Sequence, residues 1–219
     1  MKKAKIAGLL IAICAITTGV QPLHAAIAGS KHDFRQTGGG FPITGVTEMC
    51  VTCHVPHRPL VNVPLWNHSI SSYTYTLYNQ NAEYASGNSA AYDASPSGLQ
   101  NSKSRLCMSC HDGSVAVASS VKIQSASNNW ILWDNGAAVA NGSGTGNTGM
   151  KGSHPVAVNY ATVQTANPTD YVAAASLVDV KLDAGKVQCT TCHNPHNKYN
   201  KMLVADNAGS ALCLKCHIK

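Results

Sequence analysis

Aromatic and charged side chains are both scarce in this sequence. Phe, Tyr and Trp make up 6% of its 219 residues, and Asp, Glu, Lys and Arg only 12%. Gly, Ser, Asn and Thr are plentiful instead. A chain of this composition builds a poor apolar core by itself, so some other apolar group must fill the interior. Past the first 26 residues no apolar run is long enough to cross a bilayer, which excludes a spanning helix there. The formal charge of +6 looks basic, but Lys2, Lys3 and Lys5 lie in the leader described next. Without them 13 basic residues face 10 acidic ones. That balance is no argument for a nucleic-acid partner.

The chain opens Met1-Lys2-Lys3-Ala4-Lys5, runs apolar over residues 6–20, and reaches small residues at Ala25 and Ala26. Basic start, short apolar run and small-residue exit predict a secretory signal peptide over residues 1–25, cleaved between 25 and 28. Cys14 falls inside the apolar run. A lipid-anchored Cys wants a small residue before it and Ile13 is not small, so Cys14 leaves with the leader.

Eight of nine cysteines then remain. All eight sit in four Cys-x-x-Cys-His runs: Cys50/Cys53/His54, Cys107/Cys110/His111, Cys189/Cys192/His193 and Cys213/Cys216/His217. This is the attachment signature of c-type haem. Two thiols three positions apart lie one helical turn apart, so both reach the vinyl groups of one porphyrin. The His beside the second Cys then points at the iron. Zinc could also use four Cys pairs, but it does not need a His after each one. With about one residue in twenty a His, four such neighbours by chance come to roughly one in 10⁵. The thiol count leaves none over for a disulfide. Four covalently attached haems are therefore predicted, with Cys50, Cys53, Cys107, Cys110, Cys189, Cys192, Cys213 and Cys216 as attachment points. His54, His111, His193 and His217 are the proximal ligands.

A repeat organises the mature chain. His32, then Cys-x-x-Cys-His-x-Pro-His, then Leu-Cys-x-x-Cys-His recurs as His154, then the same two motifs. Residues 29–125 form a first two-haem module, 126–153 a Gly/Asn/Ser-rich connecting loop, and 154–219 a second module. Pro and Gly punctuation predicts mostly irregular coil, with short helices at the haem motifs and a few short strands. Strand-leaning segments are the Tyr73, Tyr75, Tyr78 stretch, residues 113–125, 156–163 and 171–182. Residues 29–49 read as an extended arm carrying His32. Tyr and Trp side chains are expected to pack on haem faces. The haems stacked together form the core.

Each iron has a second axial position, and five histidines are free for it: His32, His57, His68, His154 and His196. Every iron could thus be ligated by two histidines, which favours electron transfer over substrate binding. His57 and His196 follow a haem-bound His by three residues and cannot wrap around the same porphyrin. Pro56 and Pro195 throw them toward a neighbouring haem. Nearness in the chain suggests His196 for the haem of His217, His154 for that of His193, and His32 for that of His54. His57 would serve the haem of His111 or one in a neighbouring subunit, leaving His68 as the surplus histidine. Met150 and Met202 could ligate but are not needed; Met49 and Met108 adjoin haem cysteines as packing residues.

Residues 189–199, Ala211-Leu212-Cys213 to His217, Lys31-His32-Asp33-Phe34, Pro64-Leu65-Trp66-Asn67-His68 and Cys110-His111-Asp112-Gly113 resemble the doubled CXXCH multihaem cytochromes. Within that family the chain is most similar to the OmcE-like tetrahaem subunits of extracellular cytochrome filaments in metal-reducing bacteria. The resemblance implies little regular structure, a continuous haem stack and head-to-tail polymerisation. It also implies that one axial His, His57 or His32, is shared between adjacent subunits. The expected task is haem-to-haem electron hopping outside the cell or at its surface, without catalysis. The expected partners are copies of the chain itself, outer-membrane or periplasmic cytochromes, and metal oxides or other extracellular acceptors. A monomeric periplasmic shuttle is the alternative. A multihaem reductase is a further one, and it would need an iron with an open position.

Overall fold

A computed structural model describes residues 27–35, 42–43, 45–57, 64–70, 99, 102–111, 154–197 and 199–219. The expected leader, the Tyr73–Tyr78 stretch, the strand at 113–125, the loop at 126–153 with Trp130 and Trp133, and Met150 lie outside the described residues. What is described is mostly turns and coil. In chain order the elements are α1 (Ser104–His111), β1 (Val158–Asn159), α2 (Tyr160–Ala166), β2 (Lys186–Val187) and the one-turn α3 (Cys189–Cys192). Short 3₁₀ turns occupy Ala174–Ser176, Asn200–Met202, Ala208–Ser210 and Cys213–Lys215. The second and third haem motifs thus fall on α-helix and the fourth on a 3₁₀ turn. The first is built from turns, closed by His54 N–H donating to Cys50 O at 2.8 Å.

Two expectations about local structure are corrected. The strand-leaning segment 156–163 yields only β1 before turning into α2. Asn159 explains the switch: its side chain accepts a hydrogen bond from Thr162 N at 3.1 Å, a helix N-cap. Tyr160 and Val163, three residues apart, then share the buried face. The helix stops at Asn167, ahead of Pro168. Segment 171–182 likewise holds a 3₁₀ turn rather than a strand, paired only at Tyr171.

The second correction concerns the arm carrying His32, which is folded rather than extended. Asp33 is its keystone. The carboxylate accepts from Gly29 N at 2.8 Å and from Arg35 Nε and Nη2 at 2.8 and 2.7 Å. Asp33 N donates to Ser30 O at 3.0 Å. The loop closes over buried Phe34 and Ile43, with Ile43 N donating to Phe34 O.

β1 and β2 pair antiparallel, Val158 opposite Val187. Past β1 the register continues through Ala157 N to Val187 O at 2.8 Å. The return to β2 is a two-residue turn at Ala184-Gly185, both at positive φ. Positive φ at both positions is the turn geometry that matches strand twist, and Gly adopts it without a Cβ penalty. This hairpin delivers β2 directly into the third haem motif. The apolar core near it is small: Val158 and Val163, with Tyr171 packed against them. So little buried apolar surface agrees with the composition, which leaves the interior to be filled by something other than side chains.

Hydrogen bonding from Arg35 holds the Asp33 carboxyl well below the usual carboxylate range. A depressed carboxyl contributes stability above its unfolded pKa, and that contribution disappears as pH falls toward its folded value. Asp33→Asn is expected to lower the thermal midpoint at pH 7 and to flatten its fall between neutral and strongly acid pH. A midpoint at pH 7 equal to the parent's would show that the keystone contributes nothing.

Candidate haem sites

Three of the four motif histidines are held by one local device. His54 is bridged antiparallel to Trp66, His193 to Leu203 and His217 to Tyr171. Backbone bonds flank each bridge. In the first, Val55 N donates to Leu65 O (3.0 Å) and Asn67 N to Cys53 O (2.9 Å). In the third motif, Asn194 N donates to Met202 O (2.7 Å) and Val204 N to Cys192 O (2.9 Å). In the fourth, Val172 N donates to Cys216 O and Ile218 N to Asp170 O, at 2.9 and 2.8 Å. The bulky bridge partner packs by the imidazole: Trp66 lies 5.8 Å from His54 and Tyr171 4.9 Å from His217, ring centre to ring centre. The sequence marked Trp66 as an aromatic for a haem face and as part of a family motif, but gave no sign of the bridge that sets Trp66 or Tyr171 beside its histidine. The loop that returns to each bridge turns at a positive-φ residue, Leu65 in one module and Met202 in the other. The first and third motifs thus share one bridge and return, although the third lies on a helical turn and the first on turns.

The imidazoles are also oriented. Nδ1 of His54 donates to Pro64 O at 2.9 Å, that of His193 to Lys201 O at 3.0 Å, and that of His154 to Pro155 O at 3.0 Å. A ring whose Nδ1 proton is tied to a carbonyl presents Nε2 as a free acceptor, the arrangement of a metal-binding histidine. His68 has its Nδ1 on Ser69 O at 3.0 Å, and it is buried at 1% exposure.

Three pairs of rings face one another. His32 lies 5.9 Å from His111, His54 lies 6.2 Å from His196 and stacked at 18°, and His154 lies 6.4 Å from His217. Two imidazoles bound through Nε2 to opposite sides of one iron have ring centres roughly 6 Å apart, given metal–nitrogen bonds of about 2 Å. Each pair joins one motif histidine to one distal candidate. These pairings differ from those expected from nearness in the chain. His32 faces the second motif, not the first. His154 faces the fourth, not the third. His196 crosses to the first motif, not the fourth. The reason is the bridge device: it turns each x-Pro-His segment away from its own module, and the folded arm carries His32 past the first motif. His57, exposed, and His193 are not among these pairs.

Burial and the facing ring push His32 down to about 4, burial being the larger cause. The same two causes lower His217, opposite His154. Both imidazoles are thereby kept in the neutral form that binds metal. Burial also raises the free thiols of Cys53 and Cys192, each to about 11. Next to the first motif, Trp66 Nε1 and Thr52 Oγ1 are buried donors with no partner. Buried donors are rarely left unpaired. A group with polar edges seated there would satisfy them. The residues therefore fit haem: paired imidazoles at the right separation, thiols three positions apart beside one ring of each pair, and orphaned donors at the rim. Among the described residues no group of three or more His, Cys, Asp or Glu side chains converges, as a tetrahedral zinc site would require.

Residues 182–219 match the family description of the doubled CXXCH motif. The class this supports is a multihaem c-type cytochrome, with electron transfer as its task. No curated protein matches the chain. Among the described residues no helix is long and apolar enough to cross a membrane.

The fourth motif has one further anchor. Buried Tyr160 on α2 directs its hydroxyl to Val172 O at 2.7 Å and Cys216 O at 3.2 Å, tying both sides of the His217 bridge together. Tyr160→Phe keeps the ring and loses that tie. It is expected to cost about 1 kcal/mol, read as a lowered denaturation midpoint with haem content unchanged; an unaltered midpoint would remove Tyr160 from the anchoring of this motif.

Proposed function

We propose that this chain is an exported tetrahaem electron carrier whose copies join head to tail into an extracellular filament. The observation that carries the haem reading is the set of three imidazole pairs at 5.9, 6.2 and 6.4 Å, each with a Cys-x-x-Cys beside one member. In this reading Cys50/Cys53, Cys107/Cys110, Cys189/Cys192 and Cys213/Cys216 each hold one haem. The axial pairs are His54 with His196, His111 with His32 and His217 with His154. When bound, the iron porphyrin supplies reversible one-electron redox chemistry. At those three sites two histidines of the chain would hold the iron, which would leave no place there for a substrate and favours transport over catalysis as the task. Carbonyls tied to Nδ1 hold the rings and raise their basicity toward iron.

The filament rests on the repeat. The x-Pro-His of the second module, His196, faces the first-module histidine His54. By the same rule the x-Pro-His of the first module, His57, would face His193 in the second module of a neighbouring copy. His57 is exposed, as a residue reaching outward must be. Such a contact joins two different surfaces and so propagates as an open filament. Partner cytochromes or metal oxides would accept the electrons.

A second reading has its own observation. His68 is buried with its Nδ1 on a carbonyl, oriented as a ligand is. If His68 completes the site of His193 within one copy, no neighbour is needed and the protein is a monomeric shuttle in the periplasm or at the cell surface.

Two experiments bear on these readings. Mass spectrometry of the exported protein should show four haem adducts, and Cys189→Ala/Cys192→Ala should show one fewer; a parent with fewer than four would end the tetrahaem reading. His57→Ala is expected to abolish filaments in electron micrographs while keeping all four adducts. Filaments of normal length in that variant, with a high-spin iron appearing in His68→Ala instead, would establish ligation within one copy.

A further inference from the structure

The two modules meet at a buried polar contact that neither haem motif explains. Ser104, fully buried at the start of α1, donates its hydroxyl proton to Gln188 Oε1 at 2.6 Å. Ser104 Oγ in turn accepts from Cys189 N at 2.8 Å. Gln188, also buried, caps α3, its own N–H donating to Thr191 Oγ1 at 2.9 Å. Lys103 N adds a longer bond to Asp183 at 3.3 Å, before the hairpin turn that leads into the third motif. One hydroxyl thus serves as donor to one module and acceptor from it, across more than 80 residues of chain. Cys107 stands one position short of a full turn along α1 from Ser104. Its helix packs against α3, which begins at Cys189, although the two cysteines belong to different motifs and different modules. Each of these sulfurs is the first attachment point of its motif.

We propose that Ser104 is the positioning residue that locks α1 against the start of α3, and with them the attachment cysteines of the second and third motifs, so that their two haems are coupled across the modules at their thioether edges. This rests on the tetrahaem reading and adds the place where electrons cross between modules. The physical basis is the rigidity of the contact. A buried hydroxyl with both roles filled resists displacement, because moving it breaks the bond to Gln188 Oε1 and takes from Cys189 N its acceptor. Coupled sites require sub-ångström placement, which surface loops do not give but a locked helix pair does. Without the cap, α3, only four residues long, has little of its own to hold it in register.

The test uses the haem-loaded protein and circular dichroism in the Soret band, where haems in fixed contact give a bisignate couplet. Ser104→Ala should keep four adducts by mass and lower the couplet by about two-fold or more, with Ser104→Thr, which retains the hydroxyl, restoring it. An unchanged couplet in Ser104→Ala, or one lowered equally in Ser104→Thr, overturns the inference while leaving the tetrahaem reading intact. A parent protein lacking the adduct at Cys107 or at Cys189 would remove both. If Ser104→Ala does not accumulate, Gln188→Leu decides: it is close in size and leaves Cys189 N paired with Ser104, so a lowered couplet supports the proposal and an unchanged one overturns it.

Discussion

An imidazole held at both ends is the constraint on which the rest of this protein depends. Nδ1 is tied to a backbone carbonyl in His54, His154 and His193. In His54, His193 and His217 the backbone is pinned by an antiparallel bridge. Fixing the ring from behind leaves Nε2 as the only free acceptor, aimed away from the chain. Two of the three facing pairs, His54 with His196 and His154 with His217, contain such a ring, and all three stand at about the spacing that one iron between them requires, so the described segments read as a set of brackets.

The brackets are copied. His54 with its Pro64-to-Asn67 return and His193 with its Lys201-to-Val204 return share bonds, bridge and positive-φ turn, on loops differing in length by two residues. The leading histidines behave alike too, since His32 reaches the second motif of its module and His154 the second motif of its own. Of the two x-Pro-His histidines, His196 faces the first motif, at His54. Ser104 and Gln188 then set the two copies against one another.

Much of the site was legible before any fold. Spacing alone identifies the eight cysteines and four motif histidines, because two thiols and an imidazole at fixed offsets are local geometry. The module repeat was legible for the same reason. Local elements were less so. Residues 156–163 look like a strand to a pattern of apolar residues, yet one Asn159 side chain capping Thr162 N starts a helix. Residues 29–49 look like an extended arm, yet Asp33 gathers donors from Gly29 and Arg35 around one carboxylate.

What the sequence determined by itself is the inventory: which thiols and imidazoles take part, and that two similar units carry them. Partner choice belonged to the tertiary structure alone. Pairing across a metal site is decided by where chain segments cross in space, and crossings depend on turns, caps and bridges that act over distances no local spacing encodes. His32 opposite His111, His196 opposite His54 and Ser104 beneath Cys189 are each contacts of that kind.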